Sequence, residues 1–379
     1  MLSFTVSAPG KIILHGEHAV VYGKPALATS LNLRTTIHLS GNDGSIFILC
    51  LPSIDINKAW EVTDLELLYS TIQEGNGSIP SSPDTATLSR LRQFTDAEDG
   101  NAKDLAIIVF LYLHSQIIGS RGSLAALRVV VGSDLPVGAG LGSSAAYSVS
   151  LAAVLLVLAG QIRQIPNSWT REELGLVNSW AFEAERIIHG NPSGVDNAVS
   201  TYGGLILYRK GEALKPARGN SLQVVIVNSH VPRSTKRLVE KVKERLDKYP
   251  EIIRPMLESM EALVVKALDT MQGFENSDAN VCYDILEELI DINQSQLNVL
   301  GVGHLSLEHI CLLCQQNDFH CKLTGAGGGG CAFVLIRPDA SKEKVKTLIK
   351  SIEEAGYMSW LTSIGGSGVT LHESMPLSS

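Results

Sequence analysis

Leu127-Arg128-Val129-Val130-Val131, followed by Pro136-Val137-Gly138-Ala139-Gly140-Leu141-Gly142-Ser143-Ser144 and an apolar run to Ala159, reads as strand, glycine-rich loop and helix. The β-branched residues at the start suit a pleated, half-buried strand. Glycine at three alternate positions lets backbone wrap an anion where side chains would intrude. The helix that opens near Ser143 offers unpaired N–H groups and the positive end of its dipole. The run lacks the lysine of a G-x-x-x-x-G-K-[ST] phosphate loop and does not follow the dinucleotide G-x-G-x-x-G spacing. A tight strand-to-helix turn that binds nothing is the plainer alternative. Three glycines, two serines and a helix start favour a phosphate site over it.

Outward from this stretch, the first 50 residues read mainly as strands, at 4–7, 35–39 and 46–49, with Gly41-Asn42-Asp43-Gly44 between the last two. Residues 73–101 are polar and rich in Gly, Ser, Pro and Asp, which reads as a surface excursion. Residues 105–118 read as a buried helix. Downstream, 171–189 is an amphipathic helix, because Leu174, Val177, Ala181, Ala184 and Ile188 recur at steps of three and four. Pro192 rules out a simple continuation. Strands follow at 205–208 and 224–227. From Thr235 the pattern turns to long helices, 235–248, 250–271, 280–300 and 306–317, before a strand at 331–336. No internal repeat is visible, and the pattern change sets a boundary near 228–232.

The bulk properties bound the function. The chain has 379 residues, 45% apolar and 18% charged, enough for two ordinary domains with a sizeable core. Formal charge is 31 minus 39, or −8. That argues against a nucleic-acid or membrane-surface binder, which needs clustered Lys and Arg. Met1-Leu2-Ser3-Phe4-Thr5 has no basic segment leading into an apolar one, so no secretory signal is expected. The apolar runs 105–113 and 151–159 fall short of the about 20 residues a membrane helix needs. Six scattered cysteines suggest reduced thiols in the cytosol. Cys311-Leu312-Leu313-Cys314, with His320 and Cys321 following, admits a metal reading. No second CxxC exists, and free cysteine is commonly core, so packing is the better account.

Three further segments could carry chemistry. Gly325-Ala326-Gly327-Gly328-Gly329-Gly330 holds five glycines in six residues, more than a flexible hairpin needs; close approach to a ligand or to the first loop explains it better. In Asn191-Pro192-Ser193-Gly194-Val195-Asp196-Asn197, Asp196 either completes a capping box with Ser193 or acts as a general base. Glu185, eleven residues before Asp196, is either a solvated charge or a Mg²⁺ ligand, since Mg²⁺ favours one or two carboxylates plus nucleotide oxygens. Ala8-Pro9-Gly10-Lys11-Ile12-Ile13-Leu14-His15-Gly16-Glu17-His18 packs a Lys, a Glu and two His between glycines and, by itself, could be a surface loop.

Together these segments resemble the small-molecule kinases that include galactokinases, homoserine kinases, mevalonate kinases and phosphomevalonate kinases, and within them the animal mevalonate kinases. The resemblance rests on Pro9-Gly10-Lys11 leading to Gly16-Glu17-His18-Ala19-Val20-Val21, on Pro136 to Ser144, on Ile188-His189-Gly190-Asn191-Pro192-Ser193-Gly194-Val195-Asp196-Asn197, on Leu289-Ile290-Asp291 through Gly301-Val302-Gly303-His304, and on Lys322-Leu323-Thr324 into the second glycine run. It spans residues 6 to about 365. Galactokinases differ, with Arg at the Lys11 position and Thr-Asp after the Glu-His.

The resemblance implies an α+β, two-domain kinase fold: 1–229 a mixed sheet with helices that binds ATP, 230–379 helices on a smaller antiparallel sheet, the site in the cleft between. It implies transfer of the ATP γ-phosphoryl to the C5 hydroxyl of mevalonate, with Mg²⁺ as cofactor. Asp196 would be the general base and Lys11 would activate the hydroxyl. Pro136, Gly138, Ala139, Gly140, Leu141, Gly142, Ser143 and Ser144 would hold the phosphates. Ser144 and Glu185 would hold Mg²⁺. Glu17, His18 and Thr235 would lie near the substrate, and Gly325, Ala326 and Gly327 would close the site. It also implies a homodimer, inhibition by prenyl diphosphates at the ATP site, and a cytoplasmic location; the ending Met375-Pro376-Leu377-Ser378-Ser379 is not a peroxisomal Ser-Lys-Leu tail. A kinase for another small alcohol and a non-catalytic ligand sensor on the same fold are the alternatives.

Overall fold

A 16-residue strand, β2 (Ala26–Gly41), organises the sheet. From Leu31 its inward positions Leu31, Leu33, Ile37 and Leu39 alternate with more exposed ones, the period-two pattern of a strand with one buried face. The computed structural model describes residues 2–72, 80, 82–97, 101–119, 124–136, 138–166, 168–217 and 219–372. Among them, β2 pairs antiparallel along most of its length with β1 (Ser3–His15). Its other neighbours are β5 (Leu127–Ser133) along one half and β6 (Leu205–Tyr208) along the other. β3 (Ile46–Leu51) pairs parallel with β5 and antiparallel with β4 (Ile56–Glu61), which makes this part of the sheet mixed. β7 (Lys215–Ala217) adds an edge to β6.

The C-terminal strands form an antiparallel group. β8 (Leu222–Asn228) lies between β10 (Cys331–Ile336) and β11 (Met358–Ile364), and β9 (Cys321–Leu323) flanks β10. This group meets the rest of the sheet at one register pair, Ile364 with Leu31. β12 (Thr370–His372) returns to cover the free edge of β1.

Helices cover both groups. α1 (Val62–Ser70), α2 (Thr85–Thr95) and α3 (Ala102–Ile117) precede β5. α4 (Ser143–Leu158) is apolar all round and buried over nearly its whole length, as a helix enclosed on every side must be. It packs against β1, β2 and α5 (Arg171–His189). α5 starts at a capping box in which Thr170 Oγ1 accepts from Glu173 N–H at 3.2 Å and Glu173 accepts from Thr170 N–H at 2.7 Å. α6 (Val195–Tyr202) follows. α7 (Thr235–Lys248), α8 (Pro250–Gly273), α9 (Ala279–Leu300) and α10 (Leu305–Gln316) bury Val242, Leu257, Leu297 and Ile310 in one cluster with Val225 and Val334 of the sheet. α11 (Lys342–Glu354) joins β10 to β11.

The α+β class matches the expectation; the mixed and antiparallel groups, expected as two sheets, are parts of one 12-stranded sheet among the described residues, and β8, at the centre of the antiparallel group, comes from the first 229 residues. Three further differences stand out. The excursion at 73–101 contains α2, capped by Asp84, whose carboxylate accepts from Thr87 N–H at 2.8 Å; Leu91 is fully buried. The surrounding Gly, Ser and Pro masked the three-residue spacing of Leu88, Leu91 and Phe94. Residues 73–79, 81 and 98–100, and the C-terminal ending from 373, lie outside the described residues. β1 and β2 run well beyond the segments read as strands, and α11, β11 and β12 were not read at all. Cys314 sits in the core beside Ile310, and no group of three or more metal-ligating side chains forms among the described residues. Nor is any described helix long and apolar enough to cross a membrane.

Candidate active site

The glycine-rich loop owes its shape to three residues in left-handed backbone: Gly138, Gly140 and Gly142, with φ of 73°, 77° and 77°. An alternation of this kind turns successive N–H groups toward one side, the geometry of an anion-binding nest. Gly142 is the N-cap of α4 and, having no side chain, caps none of its N–H groups. The loop lies against β1. Lys11 N–H donates to Leu141 O at 2.8 Å, and a Cβ on Gly10 would come within 2.6 Å of that oxygen. β1 shifts register against β2 between Pro9 and Gly10, so a bulge immediately precedes Lys11 and sets where its side chain leaves the strand.

Lys11 and Asp196 meet here. Lys11 Nζ stands 3.3 Å from Asp196 Oδ2; the lysine side chain is 9% exposed and the aspartate 38%. Asp196 lies in the first turn of α6, whose N-cap is Gly194 in left-handed backbone. The capping box weighed for Ser193 and Asp196 does not form among the described residues; Ser193 Oγ accepts from Val195 N–H instead, at 3.4 Å. Among the described residues, Asp196 therefore makes no capping hydrogen bond at this helix start and meets Lys11 instead.

Ser144 and Glu185 also come together. The Ser144 hydroxyl donates to Glu185 Oε2 at 3.3 Å, and Ser148, one turn along α4, donates to Oε1 at 3.1 Å. Glu185 is 3% exposed, so it is not the solvated charge weighed as its alternative. Burial, and then the nearby charge of Asp196, push its pKa up to about 7 against the two serine hydrogen bonds. A buried carboxylate beside a hydroxyl is the hard oxygen donor set that suits Mg²⁺. His189, one helical turn past Glu185, brings Nε2 to 3.2 Å from Ser144 Oγ. Next to the start of α4 opens a cavity of about 600 Å³, lined by Leu51, Ile54, Ala106, Leu135, Ser144 and Tyr147. A largely apolar hollow adjoining a polar loop is a common form of ligand site.

The second glycine run closes on the first motif. His18 is buried, held in left-handed backbone at φ 61°, and its Nε2–H donates to Ala326 O at 2.8 Å. Glu17 is fully buried and ion-paired with Lys322. Thr235 does not join this set; it is exposed, at the first residue of α7.

One residue that the sequence reading passed over connects the two loops. Arg233 donates to Ala139 O at 3.1 Å and to Thr324 O at 3.3 Å. A Cβ on Gly140 or Gly330 would collide with its guanidinium, and one on Gly325 would come within 3.2 Å. The glycines at 140, 325 and 330 thus share one reason, room for a single arginine. Arg233 carries no periodic signal; the glycine excess was the trace of it. His189 and Ser148 were likewise visible only as members of a motif and a helix.

The chain matches the GHMP kinases N terminal domain over residues 105–204 and the GHMP kinases C terminal domain over 279–351. It is 45% identical to mevalonate kinase of Homo sapiens, over 99% of this chain and 96% of that one. It is 33% identical to mevalonate kinase of Arabidopsis thaliana, over 96% of this chain and 98% of that one. Among solved structures, mevalonate kinase of L. major in complex with R-mevalonate matches with a TM-score of 0.67 and 26% identity, over 96% of each chain.

Proposed function

Because this chain belongs to the mevalonate kinases, within the GHMP kinase family, we propose that it transfers the γ-phosphoryl group of ATP to the C5 hydroxyl of mevalonate. The observation that carries the reading is the meeting of Lys11 and Asp196 at 3.3 Å beside the glycine loop at the start of α4.

Phosphoryl transfer demands alignment and charge stabilisation more than covalent chemistry from the protein. Asp196, partly open to solvent, accepts the proton of the attacking hydroxyl. Lys11, largely enclosed, lowers the cost of the alkoxide that forms and of the charge on the moving phosphoryl group. The N–H groups of Gly138 to Ser144 bind the phosphates and keep them in line, and Arg233 holds the facing loop against them. The apolar cavity by Leu51 and Ile54 takes the base of the nucleotide. Ser144 and Glu185 would hold Mg²⁺, which when bound neutralises phosphate charge. Glu17 and His18 line the acceptor side. Gly325, Ala326 and Gly327 enclose it. In this reading residues 1–229 carry the nucleotide and 230–379 close over it, with the boundary between β8 and α7.

Purified protein offered ATP with mevalonate, phosphomevalonate, galactose and homoserine should turn over mevalonate; preference for any other alcohol sinks the substrate assignment. Asp196→Asn should lower kcat by about 10²–10⁴-fold with ATP affinity retained. A near-normal rate in that variant would remove the base. We also carry a homodimer, a cytoplasmic location and inhibition by prenyl diphosphates from the family; light scattering, localisation of a tagged chain and competition against ATP test them in turn.

A further inference from the structure

Residues 322–326 grip residues 13–18 at three points. The Thr324 hydroxyl accepts from Ile13 N–H at 3.0 Å and donates to Ile13 O at 2.8 Å. Ala326 O receives His18. Between them, Lys322 pairs with Glu17, both side chains entirely buried, and also donates to Leu323 O at 2.8 Å. α9 secures the same region, with Asn293 at 3.1 Å from His15 Nδ1 and Gln294 accepting from Leu323 N–H at 2.9 Å.

One feature of this clasp is not explained by stability. Glu17 Oε1 has its lysine, but Oε2 is buried with no hydrogen-bond partner among the described residues. A buried ion pair is a weak stabiliser, because the desolvation of both charges offsets their attraction. An incompletely satisfied one is weaker still. Burial raises the Glu17 pKa above its ordinary value, and the Lys322 charge and hydrogen bond, and beyond them the Lys11 charge, hold that rise back. The pair thus keeps an anion, with one unused acceptor oxygen, at the base of the turn that carries His18.

We infer that Lys322 is a positioning residue for the alcohol acceptor: it holds Glu17 as a buried anion and so fixes the Gly16-Glu17-His18 turn on the acceptor side of the site. Lys322 touches neither substrate; it acts through Glu17. This rests on the kinase reading above and names a residue that reading leaves without a role.

The test is a cycle of Lys322→Met, Glu17→Gln and the double variant in the full-length chain, with KM measured for ATP and for the alcohol that the wild type phosphorylates. Lys322→Met should raise the acceptor KM about 10–100-fold and leave the ATP KM within a factor of about two, the pattern of a misplaced acceptor group. Added to Glu17→Gln, Lys322→Met should cause almost no further rise, because its action passes through Glu17. Thermal unfolding of the double variant should lie nearer the wild type than that of Lys322→Met, since no charge is left buried alone. Should Lys322→Met not fold, the comparison of Glu17→Gln with the double variant decides by itself. Equal damage to both KM values, or independent multiplication of the two effects, overturns the inference and leaves the kinase reading standing. A wild-type chain that phosphorylates none of the alcohols overturns that reading, and this inference with it.

Discussion

The two glycine-rich runs look alike in sequence and differ in what surrounds them. A Cβ on Gly138, in the first run, would meet nothing within 4 Å. In the second run, a Cβ on Gly327 would run into the Val302 carbonyl, and one on Gly329 would come within 2.6 Å of Val231 O. Backbone bonds hold the second run on both sides, from Gly328 N–H to Val302 O at 2.7 Å and from Gly330 N–H to Val231 O at 3.0 Å. Gly138 therefore leaves a space open, whereas the second run, like Gly140 beside Arg233, lets protein pack against it. A shared richness in glycine conceals different demands: Gly138 faces open space, and the second run is a buckle between α7, α9 and the sheet.

That contrast can be broken by experiment. Gly327→Ala adds left-handed strain to a backbone collision and should cost about 4 kcal/mol or more of stability, read as a lowered midpoint of denaturant unfolding. Gly142→Ala falls between the two cases. A Cβ there would press on Lys11 Cγ at 2.8 Å, so kcat should fall by about 100-fold for a stability loss of about 1–2 kcal/mol. Gly138→Ala should cost only the backbone strain, about 1 kcal/mol, with ATP use impaired more than acceptor use. Similar stability losses at Gly138 and Gly327 would erase the distinction.

The weakest effect is one on which the two regions agree. His114, packed against Phe47, Tyr69 and Phe110 in the core of the first half of the chain, and His15, near Lys322, are both held neutral, their pKa lowered to about 3, by burial in each case and by Lys322 also for His15. A base with a folded pKa below its unfolded value of about 6.5 contributes stability that is complete above pH 6.5 and is lost as pH falls toward 3. The unfolding temperature should be flat above about pH 7 and decline through that window. His114→Asn should flatten part of the decline; an unchanged acid limb would remove His114 from the account.

The sequence made legible whatever repeats or punctuates. α4 and α5 were readable from their apolar runs, and the loop from its glycines. Lys11, Glu185 and Asp196 were readable from their motifs. Single long side chains that bridge distant segments were not. Arg233 reaches 94 residues to Ala139 and 91 to Thr324. Lys322 reaches 305 to Glu17. Neither pairing leaves a local pattern, because the folded sheet rather than the spacing brings the partners together. α2 was lost for a different reason: its apolar positions are few, and the polar residues before it outweighed them.

The strand that carries Lys11 begins at residue 3, yet its outer edge is covered by residues 370–372, with Thr5 opposite His372. On the ribosome, Ser7 of β1 must wait for Thr370, made 363 residues later. Until then β1 has an open edge, the kind that recruits a foreign strand, and pairings this distant in sequence form slowly. A chain interrupted shortly before Thr370 would retain Lys11, Glu185 and Asp196 and still lack the strand that covers the β1 edge. For this fold the integrity of β12 is a condition of a closed β1 edge, and a nascent chain is exposed to aggregation there until residues 370–372 are made.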